Sequence, residues 1–337
     1  MNNILLNPGP TNTLECVKAA QTNSSDVCHR TEEFTELLVK TKKNLLNRFS
    51  PDASFEEWNV TIFGGSGTAA MESLISSLLS EATVIVAGKY GQRATDIMLL
   101  HGIKTKKIYC EIKEELEHTE DKLNLYFVEN ETTTGEKFDL GSISQLFPKS
   151  RLYVDATSAF GATDYTKHLK QIDAISFCSN KCLQSTPGLG IVIWRKHLEI
   201  FDRSYYLGLK NYVNTPLPFT PPVQSVAALD RALTASKTTE EQYNVRKDRI
   251  IEDFQKINIE CVNKNPSNSI MGFRHPSKGY KQLKKMLKAD KIIIYEGIPH
   301  IKNSFRISTM SVEFDKEYEY ILRCFRNTAK EHEENKR

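Results

Sequence analysis

Disulfide frameworks, metal clusters, membrane spans and nucleic-acid footprints all lack the residues they would need in this chain. Its seven cysteines, Cys16, Cys28, Cys110, Cys178, Cys182, Cys261 and Cys324, form no CxxC pair. Their odd number and scattered spacing leave reduced thiols in a cytosol as the expectation, with no metal-ligand pattern. No charge sign dominates either: 45 basic and 42 acidic residues leave a formal charge of +3. Such a balance gives no footprint for nucleic acid or an acidic membrane, although a small anionic ligand stays open. No run of about 18 apolar residues exists to span a bilayer, and Met1-Asn2-Asn3-Ile4-Leu5-Leu6-Asn7-Pro8 lacks the basic region and apolar core of a signal peptide. A soluble, cytoplasmic protein is expected. Internal repeats and low-complexity tracts are absent as well.

What is present is an alternation. Short β-branched runs alternate with segments whose apolar residues recur at helical spacing, which calls for a mostly parallel sheet wrapped by helices. Strands are expected at Asn59 to Phe63, Thr83 to Ala87, Lys104 to Tyr109, Leu123 to Val128, Arg151 to Val154, Ile172 to Phe177 and Gly190 to Trp194. One helix face is marked by Phe34, Leu37, Leu38, Thr41, Leu45 and Phe49, behind acidic Glu32 and Glu33 in its first turn. After Trp194 a Pro-rich passage, Thr215 to Pro222, leads into a helical stretch expected from about Val223 to Ile257. The remainder reads as strands at Ser269 to Phe273, Lys291 to Tyr295 and Ser304 to Ile307 with a helix between the first two. We therefore expect a large domain over residues 15–235 and a small α+β domain formed by 1–14 and 236–337.

Three features carry chemistry. The turn Gly64-Gly65-Ser66-Gly67-Thr68 sits between a strand and an apolar-faced helix expected over Ala69 to Leu79, so its free N–H groups and the helix dipole suit a phosphate. It has neither the GK[ST] ending of a nucleotide P-loop nor the full GxGxxG spacing; taken alone it is better read as a plain turn with an N-cap threonine. Asp155 closes a strand at the carboxyl end, where open α/β sheets bind ligands, and a carboxylate there can pair with a protonated pyridine nitrogen. Lys181 lies just past an apolar strand and before the turn at Pro187-Gly188. Alone, the aspartate would be a helix cap and the lysine a surface residue; their order and spacing with the glycine turn lift all three.

Others support them. Tyr90 follows a strand and can stack on a planar ring, or be an ordinary half-buried tyrosine. Glu131-Thr132-Thr133-Thr134-Gly135 offers hydroxyls, or merely caps a turn. Arg306, between apolar neighbours in a strand, suits bidentate grip of an acid or a structural ion pair.

The order GSGT, KYGQR, ETTTG, VDATSAFGA, SNKCLQSTPGLG and FRIS resembles that of the class V, fold type I pyridoxal-phosphate aminotransferases, and among them most the branch that acts on 2-aminoethylphosphonate and pyruvate. The resemblance runs from Leu6-Asn7-Pro8-Gly9-Pro10 to Arg306. It implies a seven-stranded α/β fold with a smaller C-terminal α+β domain, and pyridoxal 5'-phosphate bonded to Lys181 and paired with Asp155. Tyr90 would stack on the ring, and Thr132 would approach its phenolic oxygen. Ser66, Gly67 and Thr68 would hold the phosphate, with Thr157 and Asn180 also around the cofactor. Thr220 would reach a neighbour's cofactor across a homodimer, and Arg306 would bind the substrate acid. Cys28-His29-Arg30-Thr31 departs from the phosphonate branch; His29 and Arg30 are either a second anion contact or the cap of the following helix.

The reaction this implies is transfer of an amino group from a small donor to a keto acid, with Lys181 moving the proton. Rival readings keep the scaffold and change the chemistry. One is an alanine–glyoxylate or serine–pyruvate type aminotransferase; another is a cysteine desulfurase-like lyase, disfavoured by Asn180 in front of the lysine. A cofactor-binding protein without turnover is the last.

Overall fold

The computed structural model describes residues 3–334 apart from 25, 216 and 237, with the side chains of 330–334 left aside. Pro216, within the expected Pro-rich joint, and the charged end 335–337 thus lie outside the described residues. The chain opens with β1 (Ile4–Leu5), α1 (Glu15–Thr22), α2 (Glu32–Phe49), β2 (Trp58–Gly64), α3 (Gly67–Leu78), β3 (Glu81–Val86), α4 (Lys89–Leu100), β4 (Lys104–Tyr109) and β5 (Asn124–Val128). A small hairpin, β6 (Asn130–Glu131) and β7 (Glu136–Lys137), precedes α5 (Leu140–Leu146), β8 (Arg151–Asp155), β9 (Ile172–Cys178) and β10 (Leu189–Arg195). Helices α6 (Leu209–Asn214), α7 (Val223–Ala235) and α8 (Glu240–Gln255) follow. The chain then runs through β11 (Glu260–Cys261), β12 (Ile270–Arg274), α9 (Tyr280–Ala289), β13 (Ile292–Ile293), β14 (Tyr295–Glu296), β15 (Ser304–Ser308) and α10 (Tyr318–Glu334).

All seven strands expected in the first part form one sheet, in the order β2-β10-β9-β8-β5-β3-β4. Only β10 runs against its neighbours, β2 and β9. The other pairings are parallel, so the carboxyl ends of β2, β3, β5, β8 and β9 share one edge of the sheet. Strands buried on both faces alternate their side chains between two cores. Ile191 and Ile193 of β10 join Phe34, Leu38, Leu45 and Phe49 of α2 on one side; Val192 and Trp194 join Met71 and Leu74 of α3 on the other. Each fully buried side chain of this size contributes about 1.5–3 kcal/mol through removal of apolar surface from water, which is why helices with one apolar stripe dock on both faces.

A second, four-stranded antiparallel sheet, β11-β12-β15-β14, has its own apolar cluster with Phe254, Phe273, Phe305 and Phe325. The N-terminal strand belongs to that cluster: β1 pairs in parallel with β13, and Ile4 and Leu6 are buried in it.

Two expectations need correction. The single helix from Val223 to Ile257 is two helices, because Thr239 begins a new one: its hydroxyl accepts the Gln242 N–H at 3.3 Å while the Gln242 side chain accepts the Thr239 N–H at 2.9 Å. That reciprocal cap fixes a helix start and so ends any continuous helix before it. The strand Lys291 to Tyr295 is likewise split, since Ile292–Ile293 pairs with β1 and Tyr295–Glu296 with β15. Among the described residues no helix is long and apolar enough to cross a membrane.

Candidate active site

Loops after the five carboxyl strand ends enclose a cavity of about 190 Å³. Ser66, Gly67, Thr68, Tyr90, Thr132, Asp155, Thr157, Asn180 and Lys181 all line it. One end is the N-terminus of α3. Ser66 caps that helix by accepting the Ala69 N–H at 3.4 Å, and the first-turn N–H groups have no acceptor within the helix, which suits an anion there. Gly67 has a packing reason to be glycine, since a Cβ there would come within 2.8 Å of Thr157 Cγ2.

Lys181 enters from the turn after β9. Its amine donates to the Pro8 carbonyl, and burial pulls it below the ordinary lysine value against smaller upward pushes from Cys178, Cys182 and Asp155. The N-terminal strap lies tightly on this side chain: Gly9 has φ +125°, and a Cβ on it would sit 2.7 Å from Lys181 Cδ and 2.9 Å from Nζ. Both the backbone conformation and the close approach therefore require glycine. Asp155, at the end of β8, is 2% exposed and accepts the Thr157 N–H at 2.9 Å. Burial pushes its carboxyl up to about 6, with Glu131 adding to the rise and the Thr157 hydrogen bonds opposing it. The Lys181 amine opposes that rise least of the groups around it, so burial of the charge is only partly compensated. A protonated ring nitrogen facing it would balance the remainder, so the donor set at both ends of the cavity fits pyridoxal phosphate.

Thr132 pairs its hydroxyl with Ser158 Oγ at 2.9 Å, and its carbonyl accepts from Arg306 Nη1. Arg306 itself is buried in β15, donates Nε to the Glu296 carbonyl at 2.7 Å and lines a neighbouring groove of about 650 Å³ with Lys89, Thr133 and Tyr280. It stands behind the cavity wall rather than within the cavity. Arg30 is exposed in the turn before α2 and does not line the cavity; Thr31, which donates to the Cys28 carbonyl at 2.8 Å, starts that helix. Thr220 is exposed on this chain.

Sequence reasoning missed Arg93 and Glu131. Arg93 Nη1 donates to Thr68 Oγ1 at 2.9 Å and its guanidinium lies 4.7 Å from the Tyr90 ring centroid, placing a cation at the anion end of the cavity. The signal was in the motif, because an arginine three residues after Tyr90 shares its helix face. Glu131 caps α4 from another element. Its Oε2 accepts the Tyr90 and Gly91 N–H groups at 3.2 Å each and its Oε1 accepts Thr133 Oγ1 at 2.5 Å, a favourable place for a carboxylate. Gly88 leaves the room, since a Cβ would lie 2.5 Å from both Glu131 Cδ and Thr133 Oγ1. Gly88→Ala is expected to cost about 1–3 kcal/mol by overpacking, read as a lower denaturant midpoint at unchanged slope; an unaltered midpoint would show that the carboxylate yields freely.

A curated protein of Bacillus cytotoxicus named 2-aminoethylphosphonate–pyruvate transaminase is 26% identical over 360 aligned positions, covering 95% of this chain and 96% of the relative. One of the same name from Phocaeicola vulgatus is 24% identical, covering 97% and 99%. The chain is similar along nearly its whole length to the 2-aminoethylphosphonate–pyruvate transaminases. No family model matches it. Among solved structures, a subgroup IV aspartate aminotransferase from Thermus thermophilus superposes with a TM-score of 0.84 at 23% identity, covering 97% of this chain and 99% of that one. An alanine–glyoxylate aminotransferase from Nostoc gives 0.81 at 20%, covering 97% and 95%. A phosphoserine aminotransferase from Trichomonas vaginalis, solved with pyridoxal phosphate bound, gives 0.77 at 16%, covering 98% and 100%. The resemblance read from the motifs, the fold type and the reading of the chain as an aminotransferase are borne out.

Proposed function

We propose that this protein is a pyridoxal-phosphate-dependent transaminase that converts 2-aminoethylphosphonate and pyruvate into phosphonoacetaldehyde and L-alanine, or runs the reverse where phosphonates are made. The observation that carries the reading is the convergence of Lys181, Asp155 and the α3 N-terminus on one cavity, together with likeness to relatives of that name over almost the full chain. When bound, the cofactor supplies an electron sink for the carbon bearing the amino nitrogen. The protein does the rest. Lys181, whose neutral form is favoured by burial, would accept the proton from that carbon on Nζ and hold it there for return. Asp155 would pair with a positive ring nitrogen, Tyr90 would stack on the ring, and Ser66, Gly67, Thr68 and Arg93 would hold the phosphate. Arg306, with its charge just behind Thr132, draws the acidic group of the donor or keto acid.

We further infer the two-domain division at residues 15–235 against 1–14 and 236–337, a cytoplasmic location, and a homodimer in which Thr220 serves the partner's site. Exposure of Thr220 in the single chain leaves it free for that role, and the same holds for Arg30 as a second anion contact.

The test is a spectral titration of the yellow holoprotein with 2-aminoethylphosphonate and no keto acid. Loss of the visible cofactor band, restored by pyruvate, is the expected result. A band that stays with this amine but bleaches with serine or alanine assigns the protein to the serine–pyruvate or alanine–glyoxylate type instead. Elemental sulfur released from cysteine would assign it to the lyases.

A further inference from the structure

The turn that carries Lys181 ends in a residue whose backbone conformation favours glycine. Gln184 has φ +57°, a conformation that costs a side chain energy unless its contacts repay it. It is 2% exposed, and both the nitrogen and the oxygen of its amide are hydrogen-bonded. Nε2 donates to the Met310 carbonyl at 2.8 Å, while Oε1 accepts from Ser236 Oγ and, at 3.4 Å, from Thr238 Oγ1. The Gln184 N–H also closes the turn on the Lys181 carbonyl at 2.8 Å.

The second end of the same turn is held by the same part of the molecule. Lys181 Nζ donates to the Pro8 carbonyl. Residues 5–12 are tied to the 308–311 segment: the Ser308 N–H donates to the Leu6 carbonyl at 2.7 Å, and Asn12 Oδ1 takes both the Leu5 N–H at 2.8 Å and Ser311 Oγ at 2.9 Å. The reacting amine and the foot of its turn are thus both tied to the stretch from Ser308 to Ser311 at the end of β15, Gln184 directly through the Met310 carbonyl and Lys181 by way of Pro8 in the N-terminal segment. The geometry points to Gln184 as a positioning residue: through Met310, Ser236 and Thr238 it fixes the Lys181 turn so that the amine is held over the reacting carbon. This rests on Lys181 being the reacting amine, and goes beyond it by assigning a residue outside the cavity to its placement.

The charged and titratable groups around the amine are Asp155 on β8, Arg306 on β15, and Cys178 and Cys182 on either side of the lysine; none of them contacts Gln184 through the bonds above. A change at Gln184 therefore acts on the amine through its position and solvation. Gln184→Met keeps length and volume while removing the amide. It is expected to lower kcat on the order of 10²-fold, as a misplacement of about 1 Å does, with KM within about twofold because no substrate contact is touched. A second readout needs no cofactor. Competitive acylation of the cofactor-free protein, followed by mass spectrometry of the Lys181 peptide across pH, should show the amine titrating higher in the variant, since a loosened lysine regains water.

Far-UV circular dichroism confirms that the variant is folded. Should Gln184→Met not fold, the double variant Ser236→Ala, Thr238→Val removes the partners of Oε1 alone and should move both readouts in the same direction by a smaller factor. Wild-type turnover with unchanged kcat and unchanged Lys181 labelling in a folded variant would overturn the inference. Absence of any amino transfer by wild-type protein would instead overturn the functional reading on which it stands.

Discussion

Lys181→Ala is expected to abolish transamination, with a loss of at least about 10²–10⁴-fold, the worth of a positioned proton carrier. The expectation is stronger than for an ordinary base because the same amine is the attachment point for the cofactor in the proposed reaction. Loss of fold does not account for it. Lys181 lies in a turn, its aliphatic chain is covered by Gly9, and removing a buried cation relieves a desolvation cost. The variant should unfold at no lower denaturant concentration than wild type. Lys181→Arg separates charge from chemistry, since a guanidinium stays protonated and cannot accept the proton; it should be as inactive as the alanine variant. A small primary amine added to Lys181→Ala has room in the vacated space and should restore part of the rate. Measured as single-turnover loss of 2-aminoethylphosphonate, substantial activity in either variant would remove the lysine from the mechanism.

Much of this arrangement was legible because the chemistry lies next to strong local signals. The β-branched runs before Gly64, Val128, Asp155 and Cys178 set strand ends within a residue or two of where they occur, and a parallel sheet collects its carboxyl-end loops on one edge. Ser66, Asp155 and Lys181 could therefore be placed together from order and spacing. What sequence did not disclose depends on contacts between distant segments. Glu131 reads as the start of a threonine-rich turn and is instead the cap of α4, forty residues earlier. Gln184 reads as an ordinary polar residue, and only its partners at 236, 238 and 310 show its use. The helix expected to run through 236–239 fails for a local reason that was present in Thr239-Glu240-Glu241-Gln242 but was outweighed by the apolar periodicity on both sides. The strand expected at 291–295 fails because its two halves find partners in different sheets, a choice made by the N-terminal segment and invisible in the strand itself.

Asp155→Asn should divide stability from function. A carboxyl that titrates at about 3.9 in an unfolded chain and at about 6 when buried here is protonated more readily in the folded state. Its ionisation therefore destabilises the cofactor-free fold. That penalty is fully present above about 6, shrinks as pH falls toward the unfolded value, and is gone below it. The asparagine amide keeps an oxygen for the Thr157 N–H and carries no charge. At pH 7 the cofactor-free variant should be more stable than wild type by about 1–3 kcal/mol, and at pH 4 the two should nearly coincide, as read from denaturant midpoints in the two buffers. Activity should move the other way. A neutral amide gives a protonated ring nitrogen no counter-charge, and removing one preorganised electrostatic partner from a reaction centre costs about 10²–10³-fold. The wild-type carboxylate is thus a group that weakens the empty protein and becomes favourable once a cationic ring faces it. Equal stability at both pH values would mean that Asp155 already has its positive partner within the chain; undiminished turnover would mean that the ring nitrogen is held elsewhere.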